Sequence, residues 1–184
     1  MISKVVLIHG KSATPNDKWY PWFVDEVKKR KIEVFAPELP NPKNPEINEW
    51  LKEIDNTSPD ENTVLVGHSR GGVAILRWLE KLPKERKVKK VILIGTNSGS
   101  LEKRDNDGNG FYTKRGYDFE KIILHCSDFV VIHSKDDHIV PFSNGEENAK
   151  GLKANFKIYN NKKHFGIKES PKIPELLDMV FNNK

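Results

Sequence analysis

An α/β fold built on a doubly wound, mainly parallel sheet of about six strands is predicted by three features of the sequence. Short apolar runs rich in β-branched residues recur along the chain, stretches of helical period separate them, and a glycine-flanked turn joins the third run directly to its helix. A run that is apolar at nearly every position, rather than at alternate ones, suits a strand covered on both faces, as strands of parallel sheets are. Strands alternating with helices imply right-handed crossovers, and repeated crossovers wind a sheet in both directions.

The runs are Lys4–His9 (KVVLIH), Ile32–Pro37 (IEVFAP), Thr63–Gly67 (TVLVG), Lys90–Gly95 (KVILIG), Phe129–His133 (FVVIH) and Asn155–Tyr159 (NFKIY). A first helix is expected from about Pro15-Asn16-Asp17, burying Trp19, Trp22, Phe23 and Val27 and closing in Lys28-Lys29-Arg30-Lys31. Acid early and base late suit the helix dipole. A second, from about Pro45 to Asp55, places Ile47, Trp50, Leu51 and Ile54 on one face. A third follows Ser69 and carries Val73, Ile75, Leu76, Trp78 and Leu79; others are expected at Tyr117–His125, Ser143–Leu152 and Ile173–Phe181. The expected strand order is 2-1-3-4-5-6. No repeat, linker or low-complexity segment divides the chain, so residues 1–184 are expected to form one domain.

Composition supports this. At 184 residues, 36% hydrophobic and with nine Phe and four Trp, the chain can pack one substantial core. Lys and Arg exceed Asp and Glu by 31 to 26, a net charge of +5. The basic residues are spread along the chain, and the densest run, Lys81–Lys90 (KLPKERKVKK), falls between a helix and a strand. That pattern suits a solvated surface better than a nucleic-acid footprint. The expected partner is a small molecule, with neither nucleic acid nor membrane involved. Cys126 is the only cysteine, so no intrachain disulfide forms. The opening MISKVVLIHGK has too short an apolar run to span a membrane and lacks a signal peptide's charged leader and cleavage site, which makes cytoplasm the expectation.

The strongest chemical signal is Gly67-His68-Ser69-Arg70-Gly71, directly after an apolar strand and directly before a helix, with Gly72 following. G-x-S-x-G in that context is a nucleophile elbow, a turn so tight that its flanks need residues almost without side chains. The serine hydroxyl then projects above the sheet, and the backbone N–H of Arg70, at the helix start, points where an oxyanion would form. Serine needs a base to become nucleophilic, so the motif calls for a histidine and a carboxylate after later strands. Ser134-Lys135-Asp136-Asp137-His138-Ile139-Val140-Pro141 follows the fifth strand, and Asn160-Asn161-Lys162-Lys163-His164-Phe165-Gly166 follows the sixth.

With VVLIHG at the first strand, the WYPWF helix, GHSRGG, DDHIVP and HFG, the chain resembles the α/β-hydrolase superfamily. More narrowly, it is similar over nearly its whole length to the small serine hydrolases typified by retinoblastoma-binding protein nine. The resemblance implies a minimal fold with little or no cap, and hydrolysis of small esters, amides or thioesters through an acyl-enzyme. It also implies Ser69 as nucleophile, Asp137 of the D-x-x-V-P stretch as acid and His164 of H-F-G as base. The second oxyanion donor is then the backbone N–H of Lys11. Asp136 is expected to order its loop. The segment Leu101–Arg115, where larger hydrolases insert a lid, is short and polar, so an open site is expected, with Trp19 and Phe165 as possible pocket aromatics. No cofactor is called for. The rival from another class is a protein that keeps this fold as a binding or scaffold module.

Two decoys remain. His133, Asp136 and His138 are metal-ligand types, but near-consecutive loop positions rarely converge on one ion. Asp105-Asn106-Asp107-Gly108-Asn109-Gly110 matches the first half of a calcium loop, but Gly116 stands where the closing Glu belongs. No metal is expected at either.

Overall fold

The computed structural model describes residues 1–101, 106–166, 168 and 170–182. Its elements are β1 (Lys4–Ile8), α1 (Tyr20–Lys29), β2 (Glu33–Phe35), α2 (Ile47–Asn56), β3 (Thr63–His68), α3 (Arg70–Glu80), β4 (Lys90–Ile94), α4 (Phe119–Ile122), β5 (Phe129–Ser134), α5 (Phe142–Leu152), β6 (Asn155–Tyr159) and α6 (Pro174–Phe181). Six parallel strands form one sheet in the order β2-β1-β3-β4-β5-β6. The direction of winding reverses between β1 and β3, and ligands of such sheets bind at the carboxyl ends beside that reversal. Ile8 pairs with Gly67 and Gly67 with Leu93, so β1, β3 and β4 finish nearly level there.

Alternation along each central strand feeds two cores, because successive side chains leave opposite faces of the sheet. Val5, Leu7, Val64, Val66, Ile92 and Ile94 pack under α1 and α6 with Phe23, Val27, Leu176 and Val180. Val6, Ile8, Leu65, Val91 and Leu93 pack under α2 and α3 with Trp50, Ile54, Val73 and Leu76. Both faces being covered explains the near-continuous apolar runs. β2 and β6 are the edges, and their residues are partly buried or exposed.

Three expectations are adjusted. α1 begins later than Pro15–Asp17, because the Asp17 carboxylate accepts the Thr14 N–H (2.7 Å) and hydroxyl (2.8 Å) and closes a separate turn. Pro21 then sits in the first turn, where a missing N–H costs nothing; Trp22 is half-buried. The Tyr117–His125 helix contracts to α4, capped by Asp118, whose carboxylate accepts the Lys121 N–H at 3.1 Å. The Lys81–Lys90 run is partly structural. Lys90 is buried, pairs with Asp128 at 3.2 Å and donates to the Met179 carbonyl at 2.8 Å. Arg86 pairs with Asp55, and Lys87 donates to the Leu124 carbonyl. No described helix is long and apolar enough to cross a membrane.

Candidate active site

β3 ends at His68 and α3 begins at Arg70, so Ser69 alone makes the turn, at φ 53° and ψ −119°. A serine there stores about 1–3 kcal/mol of strain, which the surroundings must offset. They do so sterically. A Cβ on Gly71 would lie 2.1 Å from the Ile8 oxygen, on Gly72 2.1 Å from Thr96 Oγ1, and on Gly67 2.6 Å from the Gly72 Cα. The elbow is thus wedged between β1 and β4, where only glycine fits. The Ser69 N–H donates to the Ile94 oxygen at 2.8 Å, and the Ser69 oxygen accepts the Gly72 N–H at 3.1 Å. The Ser69 hydroxyl does not cap α3. Arg70 opens that helix, and its guanidinium lies over the rings of Phe111 and Tyr112.

Asp137 and His164 meet beside the elbow. The His164 Nδ1–H donates to Asp137 Oδ2 at 2.8 Å, while Asp137 Oδ1 accepts the N–H groups of Ile139 and Val140, both at 2.9 Å. Burial raises the Asp137 pKa, but the bond from His164 and the two amides outweigh it, holding the carboxyl below its ordinary value. Because a carboxylate can only accept, that hydrogen bond places the proton of a neutral His164 ring on Nδ1 and leaves Nε2 with its lone pair. Gly95, at φ +54°, underlies the pair: a Cβ there would come within 3.2 Å of His164 Nδ1 and 3.3 Å of Asp137 Oδ2. The preceding residue, Ile94, is the one that accepts the Ser69 N–H, so the three side chains gather at the ends of β3 and β4. On the other side, a Cβ on Gly10 would stand 3.2 Å from the Ser69 Cβ, and Lys11 follows with its side chain exposed. Ser12, at φ 57°, donates its N–H to the Pro42 oxygen at 2.7 Å and shapes that loop.

Asp136 turns away from this group. Its Oδ1 accepts from the Ser134 hydroxyl at 2.5 Å and from the Lys163 N–H at 2.9 Å, tying the acid loop to the base loop. His133 lies inward, with Nε2 3.1 Å from the Val140 oxygen and 3.5 Å from Asp137 Oδ2. Among the described residues no group of three or more His, Cys, Asp or Glu side chains is arranged to hold a metal ion. Asp105 of the calcium-like run lies outside the described residues. Asn106 and Asp107 bond the backbone N–H groups of Gly108 and Asn109, as short polar side chains do in turns.

Trp19 and Phe165 are corrected as pocket residues. Both are 0% exposed and belong to the core under α1 and α6; Trp19 packs edge-on against Tyr20, Phe23 and His68, and Phe165 against Tyr159. They support the site from beneath. Sequence reasoning also passed over Tyr20, whose oxygen lies 2.7 Å from His68 Nδ1. It missed Arg77 too. This buried guanidinium donates to the main-chain oxygens of Phe111 (3.1 Å), Gly116 (3.0 Å) and Gly99 (2.9 Å), and pairs with Glu80 at 2.8 Å. It fastens the segment after β4, whose Phe111, Tyr112 and Tyr117 are buried, so the polar residues are left outside. A hint was available: a lone arginine on the apolar face of α3 is an expensive residue unless it is paired.

This sheet order and elbow define an α/β-hydrolase. Residues 5–180 match the serine hydrolase family, and the chain belongs to it. It is 30% identical to the YdeN protein of Bacillus subtilis, covering 100% of this chain and 99% of that one. The crystal structure of the ydeN gene product superposes with a TM-score of 0.88 at 31% identity, covering 98% and 100%. The serine hydrolase RBBP9 of Rattus norvegicus is 24% identical, covering 97% and 94%. A meta-cleavage product hydrolase from Pseudomonas fluorescens, at a TM-score of 0.69 and 16% identity over 98% of this chain and 90% of that one, shares the fold. The protein is a hydrolase.

Proposed function

We propose that the protein cleaves small carboxylic esters through an acyl-enzyme, with Ser69, His164 and Asp137 as a catalytic triad. The observation that carries the reading is the Asp137–His164 bond, seated on Gly95 one residue beyond the oxygen that holds Ser69 in its strained turn. In this reading His164 Nε2 takes the proton of Ser69 Oγ as that oxygen attacks the acyl carbonyl. Asp137 keeps the proton of the imidazole on Nδ1 and stabilises the imidazolium that forms. The backbone N–H groups of Arg70 and Lys11 receive the oxyanion. The tetrahedral intermediate collapses, the leaving group departs with the proton from His164, and a water activated by the same base releases the acid. These steps need no cofactor.

Short acyl groups suit this site best. Beside the acid loop lies a cleft of about 520 Å³ whose lining includes Ser98, Lys114, Arg115, Ile139, Ser143 and Glu147, too polar for a long alkyl chain. Amides and thioesters fit the same chemistry. A cytoplasmic enzyme acting on a small molecule, without nucleic acid or membrane, remains the reading of the sequence.

Fluorophosphonate labelling combined with Ser69→Ala tests the proposal. Stoichiometric labelling on Ser69 is expected, and the alanine variant should fold normally yet lose ~10⁶ of its turnover of p-nitrophenyl acetate. An alanine variant that keeps a tenth of the wild-type rate would overturn the triad, and failure of the wild type to label would favour a scaffold.

A further inference from the structure

We propose that His68 is a positioning residue: its Nε2–H grips the main-chain oxygen of His164 while Tyr20 grips its Nδ1, locking the base loop to the β1–α1 loop through the elbow. The inference rests on the triad reading above. His68 Nε2 lies 3.0 Å from the His164 oxygen, and His68 Nδ1 lies 2.7 Å from the Tyr20 oxygen. A carbonyl oxygen can only accept, so Nε2 carries the proton. In a neutral ring Nδ1 is then an acceptor, and the Tyr20 hydroxyl donates to it. The Tyr20 oxygen in turn accepts the Gly10 N–H at 3.3 Å. Each hydrogen bond thus has one possible direction, from Gly10 through Tyr20 and His68 to His164.

Burial makes the chain firm. Tyr20 and His68 are both 0% exposed, so no water competes for their bonds. Burial, followed by the charge of Lys18, pushes the His68 pKa well down and outweighs the opposing effect of its bond to the His164 oxygen, while burial pushes the Tyr20 phenol up. The imidazole stays neutral and the phenol keeps its proton, as the bond directions require.

The two ends of the chain are the places where positioning matters. Lys163 (φ 45°) and Phe165 (φ 51°) flank His164, and both sit in a left-handed region that bulky residues avoid. Such strain persists only where the surroundings over-determine it. The Ser134 hydroxyl and the Asp136 carboxylate hold the N–H groups of Lys162 (3.0 Å) and Lys163 (2.9 Å) from the acid-loop side. His68 holds the His164 oxygen from the elbow side, with the two imidazole rings 4.9 Å apart. At the other end, Gly10 is the residue against Ser69, and Lys11 follows it. His68 therefore sets the base and the oxyanion loop relative to the nucleophile beside it in the chain.

His68→Phe, His68→Gln and Tyr20→Phe, with Ser69→Ala as reference, test this by steady-state kinetics on p-nitrophenyl acetate and by thermal melting. His68→Phe keeps the ring but loses both bonds, and kcat should fall ~10²-fold with KM within about twofold, because the base is displaced while substrate binding is not. His68→Gln offers an amide N–H near the Nε2 position and should recover about tenfold of that loss. Tyr20→Phe should lower kcat about three- to tenfold at constant KM, since it removes one neutral hydrogen bond from the set. A folded His68→Phe with kcat within about threefold of wild type overturns the proposal, as does a folded His68→Gln no better than His68→Phe. Should His68→Phe not fold, Tyr20→Phe decides: a fall in kcat at constant KM supports the chain and wild-type kinetics overturn it. If Ser69→Ala itself retains activity, the underlying triad reading has failed; an inactive Ser69→Ala beside an active His68→Phe sinks the positioning role alone.

Discussion

Ser69 and Phe165 hold backbone conformations with nearly the same φ, 53° and 51°, on opposite sides of the candidate site, and the molecule holds them by opposite means. The elbow is held by the absence of side chains, since Gly67, Gly71 and Gly72 leave no room for a Cβ between β1 and β4. The base loop is held by the presence of side chains: Ser134, Asp136 and His68 bond its backbone, and the Phe165 ring is buried. Steric confinement acts within a few residues of the turn it confines. Polar anchoring recruits groups from anywhere in the chain. The first is stiff against pH and brittle to mutation; the second tolerates size changes but depends on which groups carry protons.

The largest effect should come where the two segments meet, at Asp137. Asp137→Asn keeps the shape but favours the wrong imidazole tautomer, and a turnover loss of ~10⁴ is expected in a variant that still folds. A loss below a hundredfold on p-nitrophenyl acetate would count against the triad assignment.

Next in size is the steric half. Gly71→Ala pushes a methyl onto the Ile8 carbonyl, which is backbone and has nowhere to go. It should cost more than about 3 kcal/mol in urea unfolding, or prevent folding altogether. A cost under about 1 kcal/mol would show that the elbow is not confined as described.

Acid separates the two halves more gently. Burial lowers the pKa values of His9, His68 and His133, so the folded state binds fewer protons than the unfolded chain once pH drops below about 6.5. Stability is complete above that value and falls as pH descends from it, by at most about 1.4 kcal/mol per pH unit for each histidine. Asp137, with its pKa also lowered, adds a further loss only below the ordinary carboxylate range. Urea midpoints at pH 7.5 and 5.5 measure the first effect. Hydrogen exchange locates it: the Phe165 amide, bonded to the Lys162 oxygen at 2.8 Å, should lose protection before the Gly72 amide of the elbow. Equal loss at both would break the comparison.

The smallest effect is expected for Asp136→Asn. It weakens one tie between acid loop and base loop but leaves the His164 tautomer alone, so turnover should fall no more than about tenfold, against ~10⁴ for its neighbour. If Asp136→Asn proves the more crippled variant, the acid belongs one residue earlier.

The same contrast decides what could be read from the sequence. The strands were legible because coverage on both faces writes apolar runs, and the elbow because its steric demand selects glycines next to the serine. The chain through Tyr20 was not, since its members lie 48 and 96 residues apart and a buried polar pair has no local signature. Trp19 and Phe165 were misread because an aromatic beside a motif looks the same whether it faces a ligand or the core. α1 was started too early because Asp17, a plausible cap by type, spends its carboxylate on Thr14.

Arg77 carries a consequence for how this scaffold can change. Its guanidinium binds the main-chain oxygens of Gly99, Phe111 and Gly116, and an oxygen of the backbone is the same atom whatever side chain hangs beside it. The same guanidinium also donates to Thr113 Oγ1 at 3.4 Å and lies over the Tyr117 ring, so the segment is gripped mainly, but not wholly, through its backbone. Outward-facing residues such as Lys114 and Arg115, which line the cleft beside the acid loop, can be exchanged with no loss of the frame that presents them. A scaffold of this kind can alter the lining of that cleft at little structural cost, provided the arginine beneath stays in place.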